Sequence, residues 1–423
     1  MSNWRLFRPV VALALVLSSR ADAARADAAP SPGPPAWGEA PPRIEGAGAA
    51  CSFRHPACVH ATGDLAASAL AALGAIDRAW DLATGPLGFP APVVDPSTGR
   101  YDVYLAPEPS RTALRERDPL SSFDRAAAFS VLDARLPPGR TLEIEATREL
   151  FAAIALGAAP ATDAGSLRGE TSYLAALSLG ADLAAVADVD VAQAHPDRAL
   201  VDTYPGDPDA RRGSGSALFF GWLDESFAAA PGRVIQALWA LAPTRTPASS
   251  PHFYGEPDGF DVIGASFKDL LGEGSDEGDV LEAFAIDRAK ASPAPRLDWD
   301  IAWPSAPRAL ASPEGVAPTG AAYVRVATQG KKPGARLRVD LAWEQHARMR
   351  WNVVELDANG RELARLPIKA ADKATEAHLQ VVDLDAAAAV LVAGTNLGDA
   401  SAPFDPDDAV WEPHGWLLTV AAE

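Results

Sequence analysis

The hydrophobic period changes once along this chain, near Pro307, and that change constrains the fold more than any single residue does. Beyond it the apolar residues alternate. Tyr323-Val324-Arg325-Val326, Leu337-Arg338-Val339-Asp340-Leu341, Trp351-Asn352-Val353-Val354-Glu355-Leu356 and His378-Leu379-Gln380-Val381-Val382 all read as half-buried strands. Ala389-Val390-Leu391-Val392-Ala393 is continuously apolar up to Gly394, as a strand buried on both faces would be. Trp416-Leu417-Leu418-Thr419-Val420 is the last strand, and Asn359-Gly360 marks a hairpin turn. Short strands at this spacing predict a β-sandwich over residues 296–423.

Before the change the spacing is helical. Apolar residues recur at three- and four-residue steps in Leu65 to Leu82, Leu142 to Leu156, Tyr173 to Val186 and Ala217 to Phe227, with Ser216 placed to cap the last. Two early strands interrupt the pattern, Tyr101 to Leu105 and Ala128 to Asp133. The expected fold class is therefore α+β: a helix-rich domain over residues 51–295 with a small N-terminal sheet, then an all-β sandwich. The Pro- and Trp-rich stretch from Ser292 to Pro307 reads as a packed linker between them.

The N-terminus reads as an export signal over residues 1–28. Arg5 and Arg8 precede an apolar run from Val10 to Leu17, and small-residue cleavage sites follow at Ala23 or Ala28. The apolar run is too short to span a bilayer. Residues 29–50, with Pro30, Pro32, Pro34 and Pro35, read as a disordered Pro/Ala-rich leader. The expected location is secreted or periplasmic. There Cys51 and Cys58 would pair, for about 2–3 kcal/mol on a chain-entropy estimate. Free thiols, or a zinc site with His55 and His60, are the alternatives. A net charge of −19 argues against nucleic acid and anionic membrane surfaces as partners. The acidic run from Glu273 to Asp279 reads as a solvated loop, and Asp405, Asp407 and Asp408 as a polar turn.

One segment bears on chemistry. Ala146-Thr147-Arg148-Glu149-Leu150-Phe151-Ala152 has the shape of an H-E-x-x-H zinc helix in which both histidine positions have changed. Such a helix carries histidines at i and i+4 on one face, and a glutamate beside the first serves as general base. Around it stand Gly85-Pro86-Leu87-Gly88-Phe89-Pro90, then Leu167-Arg168-Gly169-Glu170-Thr171-Ser172-Tyr173, then Gly215-Ser216-Ala217-Leu218-Phe219-Phe220, then the strands of the tail. This order resembles that of secreted bacterial zinc metallopeptidase-like proteins of the gluzincin type, from Phe53 to the C-terminus.

The resemblance puts Arg148 and Ala152 where the family has its histidine ligands, Glu149 at the general base, and Glu170 at the third zinc ligand. Ser214 stands where an active relative is expected to have Tyr. A guanidinium has no lone pair to offer a metal, and Ala152 has no ligating atom. The resemblance thus implies a gluzincin-like scaffold that has lost zinc, with no cofactor and no active catalytic residue. Its role would be to bind a peptide or protein ligand. An active hydrolase with a rearranged metal site, or a structural envelope protein, are the alternatives. A cation in place of zinc would compensate the orphaned carboxylate, so Arg148 is expected to bridge the cleft to Glu170, with Glu145 as the local rival.

Overall fold

Alternation alone would make Gly48–Cys51 a weak strand, but it becomes one (β1) because it folds back on Ala57–Ala61 (β2). The hairpin is closed by the Cys51–Cys58 disulfide, whose two residues sit directly opposite in register. The structure, a computed structural model, describes residues 38–117, 123–160, 164–200, 211–243, 262–263, 276–368, 370, 374–382, 384–399 and 413–423. The proposed signal and the triad Asp405, Asp407 and Asp408 lie outside the described residues. The expected leader does not stay disordered to residue 50. Besides β1, the Glu39 amide donates to Leu114 O at 3.1 Å, and Glu39 pairs with Arg111 at 2.7 Å. Pairing to an existing sheet edge offsets the entropy of ordering these residues.

The small sheet has the order β1-β2-β3-β5-β4, with Tyr101–Ala106 as β3, Arg111–Arg117 as β4 and Ala126–Asp133 as β5. Strands β2, β3 and β5 run parallel, and β4 returns antiparallel along β5. Strand β4, with the sequence RTALRER, carries too many charges to stand out by hydrophobic pattern. Helix α1 (Ala66–Thr84) and helix α2 (Arg140–Ala158) pack together, and both contribute to the apolar core shared with the sheet. That core includes Ile76, Trp80, Val103, Leu132, Leu150 and Phe151.

Helix α3 (Ala164–Leu179) crosses α2, and α4 (Val189–Ala194), α5 (Arg211–Gly215), α6 (Ala217–Phe227) and α7 (Arg233–Leu241) follow. The helix read through to Val186 stops earlier. Gly180 takes φ +54°, and a 3₁₀ turn, Leu183–Ala185, follows. Gly169 lets α3 and α6 approach closely: a Cβ there would meet the Phe220 ring at 2.9 Å. Ser216 precedes α6 but does not cap it with its side chain. Its backbone is already helical, and its hydroxyl donates to Gly213 O at 2.6 Å.

The acidic run is not simply a solvated loop. Asp276 caps α8 (Glu277–Arg288) reciprocally with Asp279, and both carboxylates hold Arg350 at 2.6 Å. Carboxylates at a helix N-terminus satisfy its free amides and oppose its dipole.

Two sheets form the C-terminal sandwich. Their strands are Trp299–Ile301 (β6), Arg308–Ala311 (β7), Ala321–Ala327 (β8), Leu337–Trp343 (β9), Ala347–Leu356 (β10), Glu362–Ile368 (β11), Glu376–Val381 (β12), Ala389–Asp399 (β13) and Trp416–Ala422 (β14). One sheet has the order β11-β10-β13-β8-β6 and the other β12-β9-β14-β7. The stretch read as a linker therefore supplies β6, which pairs parallel to β8. Strand β13 is central and buried over Ala389–Gly398. The hairpin at Asn359-Gly360 closes with Gly360 at φ +76° and Asp357 N donating to Arg361 O at 2.9 Å. The chain is thus α+β, helix-rich first and β-rich last. Helix α8 joins the two parts: besides its Arg350 pairs, its Ala285 carbonyl accepts from the Tyr323 hydroxyl at 2.7 Å.

Candidate functional site

Helix α2 is buried along most of its length, from Ala146 to Gly157, so its polar residues must find partners inside the protein. Arg148 and Glu149 are 4% and 3% exposed. The Arg148 guanidinium donates through Nη1 to Glu145 Oε1 at 2.7 Å and through Nη2 to Val186 O at 3.0 Å. Burial lowers its pKa, and Arg168 nearby adds to that. The Glu149 carboxylate accepts from Thr112 Oγ1 at 2.7 Å on β4 and from Arg168 Nη1 at 3.5 Å on α3. Arg168 Nη2 also reaches Glu145 Oε2 at 3.9 Å. Two acids and two bases thus form one compact cluster between α2, α3 and β4. Its hydrogen bonding is incomplete among the described residues, where the buried Arg148 Nε and Glu145 Oε2 find no hydrogen-bond partner.

Beneath the carboxylate lies a set of hydroxyls. Tyr101 OH and Thr112 Oγ1 each meet Ser130 Oγ at 2.6 Å. Both also lie near the Glu149 carbonyl oxygen, Tyr101 OH at 3.3 Å and Thr112 Oγ1 at 3.1 Å. Burial raises the Glu149 pKa above the ordinary carboxylate range, and Arg168 only partly opposes this. A general base must present an ionised oxygen to a water or a substrate proton. Here both carboxylate oxygens face protein donors in a closed environment.

The expected bridge from Arg148 to Glu170 does not form. Glu170, fully buried, sits in the middle of α3. Its Oε2 accepts from Trp239 Nε1 on α7 at 2.6 Å, and its Oε1 from Ser166 Oγ at 3.4 Å. Glu145 takes the guanidinium because it lies one turn back on the same helix, where an i, i+3 pair needs no alignment between elements. Ala152 follows Arg148 by one turn, 6% exposed. Ser214 is buried, its hydroxyl accepting from Asp188 N at 3.3 Å and from Ser172 Oγ at 3.4 Å. Among the described residues no three His, Cys, Asp or Glu side chains assemble as a metal-binding group. The side chains at the expected ligand positions do not fit zinc, because one is a paired guanidinium and the other a methyl group.

Four histidines are held by carboxylates: His55 by Asp81 and His60 by Asp102, each at 2.8 Å, His378 by Asp340 at 3.0 Å, and His414 by Glu344 at 3.1 Å. The residues that sequence reasoning missed are Thr112, Arg168 and Trp239. Arg168 sits two positions before Glu170 in a motif already singled out, and its charge beside a buried helix was the available signal. Thr112 and Trp239 arrive from distant elements and give no local sign.

Glu149→Gln tests the electrostatics. A carboxyl whose folded pKa is raised holds its proton more tightly when folded. Its contribution is therefore most favourable below the ordinary value of 4.5 and is lost as pH rises through the raised folded value. The amide variant should gain stability relative to the parent across that rise, by about 1.4 kcal/mol for each unit of displacement. Urea unfolding of both proteins from pH 4 to pH 8 measures this, and a constant difference across the range would contradict it.

No family model matches the chain, and no curated protein matches it. Among the solved structures similar over part of it are two that illustrate the likeness. The pre-peptidase C-terminal domain of a collagenase from Bacillus anthracis is 7% identical and covers 30% of this chain and 97% of that one, with a TM-score of 0.19. The VP2 subviral particle of infectious bursal disease virus is 8% identical over 27% of this chain and 32% of that one, with a TM-score of 0.17. Likenesses this weak carry no functional argument. Among the described residues no helix is long and apolar enough to cross a membrane.

Proposed function

We propose that this chain is an exported pseudoenzyme: a metallopeptidase-like scaffold of the gluzincin type that has lost zinc and acts by binding a peptide or protein ligand. One observation carries the reading. The two positions that would hold zinc on α2 are filled by a guanidinium and a methyl group, and the buried charges left around them are incompletely satisfied. Buried ion clusters with unmade hydrogen bonds add little to stability, so this one is hard to explain as a stabilising device. The reading accounts for it as a helix that has lost its metal, with Arg148 standing in a former ligand position and pairing with Glu145. The Cys51–Cys58 disulfide supports export, since such bonds persist in oxidising compartments.

The test restores the ligands. Arg148→His with Ala152→His puts two imidazoles one turn apart on one face of α2. The double variant should bind zinc measurably by calorimetry where the parent does not. Adding Trp239→Phe frees Glu170 from its indole donor and should tighten binding further. A folded triple variant that takes up no zinc would overturn the reading.

A further inference from the structure

A cavity of about 620 Å³ opens between α3, α6, the turn at Ala228–Pro231 and α8. Its walls are apolar and aromatic: Tyr173, Leu177, Leu183, Leu218, Trp222 and Phe284. None of Arg148, Glu149, Ala152 or Glu170 lines it. Gly221 lies among the lining residues, and a Cβ there would press on the Tyr173 ring at 3.2 Å.

The charges around the cavity differ in availability. Asp224 is buried and consumed, accepting from Tyr173 OH at 2.6 Å, Gly232 N at 2.5 Å and Val234 N at 2.9 Å. Asp287 accepts from Trp222 Nε1 at 3.1 Å and pairs with Lys290 at 2.7 Å. The Arg288 guanidinium is directed away into protein acceptors, Gln193 Oε1 and Ala192 O, both at 2.6 Å. Glu225 is exposed, and its carboxylate has no hydrogen bond or ion pair to any described residue. The uncommitted charge at the rim is therefore negative, on a protein whose net charge is −19. A further feature bears on the kind of ligand. Small side chains leave the backbone of Ala228–Pro231 uncovered, and the exposed Ala229 makes no backbone hydrogen bond to another described residue.

From these features we infer that the cavity is a docking site for an extended peptide segment of a partner, carrying an apolar side chain next to lysine or arginine. The apolar side chain fills the aromatic floor, where burial supplies most of the affinity. The basic side chain meets Glu225, and the acidic field of the whole protein draws it in. The backbone at Ala229 offers a donor and an acceptor to the main chain of the peptide. The site stands apart from the pseudoenzyme reading. It binds whether or not α2 descends from a zinc helix, so a negative zinc result leaves it intact.

The test uses the full chain and a fluorescein-labelled octapeptide, Gly-Ser-Arg-Phe-Leu-Arg-Gly-Ser, read by fluorescence anisotropy. Two control peptides replace both arginines by glutamate or both apolar residues by alanine. The parent peptide should bind at least about fivefold more tightly than either control, a difference expected of one rim charge or one buried side chain. Two substitutions at exposed positions should leave the fold intact, which far-UV circular dichroism checks. Ala229→Trp fills the cavity and should weaken binding by more than about tenfold. Glu225→Lys should reverse the preference towards the glutamate peptide. Equal binding of all three peptides, no binding of any, or affinity unchanged in either variant would overturn the proposal.

Discussion

Replacing Arg148 by methionine should lower the free energy of unfolding by about 3 kcal/mol, at the low end for breaking a buried ion pair. The substitution keeps the volume and removes the cation. Glu145 then loses its 2.7 Å partner, and Val186 O loses its donor. The loss stays at the low end because Arg168 still reaches Glu145 at 3.9 Å and can close on it. The companion variant is as informative. Arg148→Met with Glu145→Leu removes both charges, and an apolar pair of similar volume should recover most of the loss. Urea unfolding followed by tryptophan fluorescence measures both. A loss below about 1 kcal/mol for the single variant would place this pair among surface ion pairs, against its burial.

Asp224→Ala should be costlier still, at about 4 kcal/mol. The carboxylate ties three elements together: the Tyr173 hydroxyl on α3, and the Gly232 and Val234 amides that open α7. Hydrogen bonds to a charged group contribute about 1.5–3 kcal/mol each, and their sum is less than additive. Gly232 takes φ +80° to turn the chain into α7, so releasing its amide loosens the start of that helix as well. Asp224→Asn keeps one acceptor oxygen and should cost about half as much. Equal losses in the two variants would show that the negative charge, not the acceptor oxygen the amide keeps, sets the effect.

Much of the architecture was legible because it follows from period. The alternation after Pro307 and the helical spacing before it place the β-rich and helix-rich parts, and Cys51 and Cys58 form the expected disulfide. What pattern could not show depends on contacts between distant elements. Strand β4 was missed because its apolar positions are Ala113 and Leu114 among four charges. The fate of Arg148 was legible only as two options: Glu145 was visible at i, i+3, while the alternative required knowing where Glu170 points. Trp239 decides that, and it arrives 69 residues later. The acidic run around Asp276 looked solvated because its cation, Arg350, lies in another part of the chain.

The most direct test of the central claim is the metal content of the purified wild-type protein after incubation with zinc and removal of free metal. The expected result is no stoichiometric zinc, with no cleavage of casein or of short peptides. One zinc per chain together with peptide hydrolysis would contradict the claim, since neither Arg148 nor Ala152 could supply the ligands.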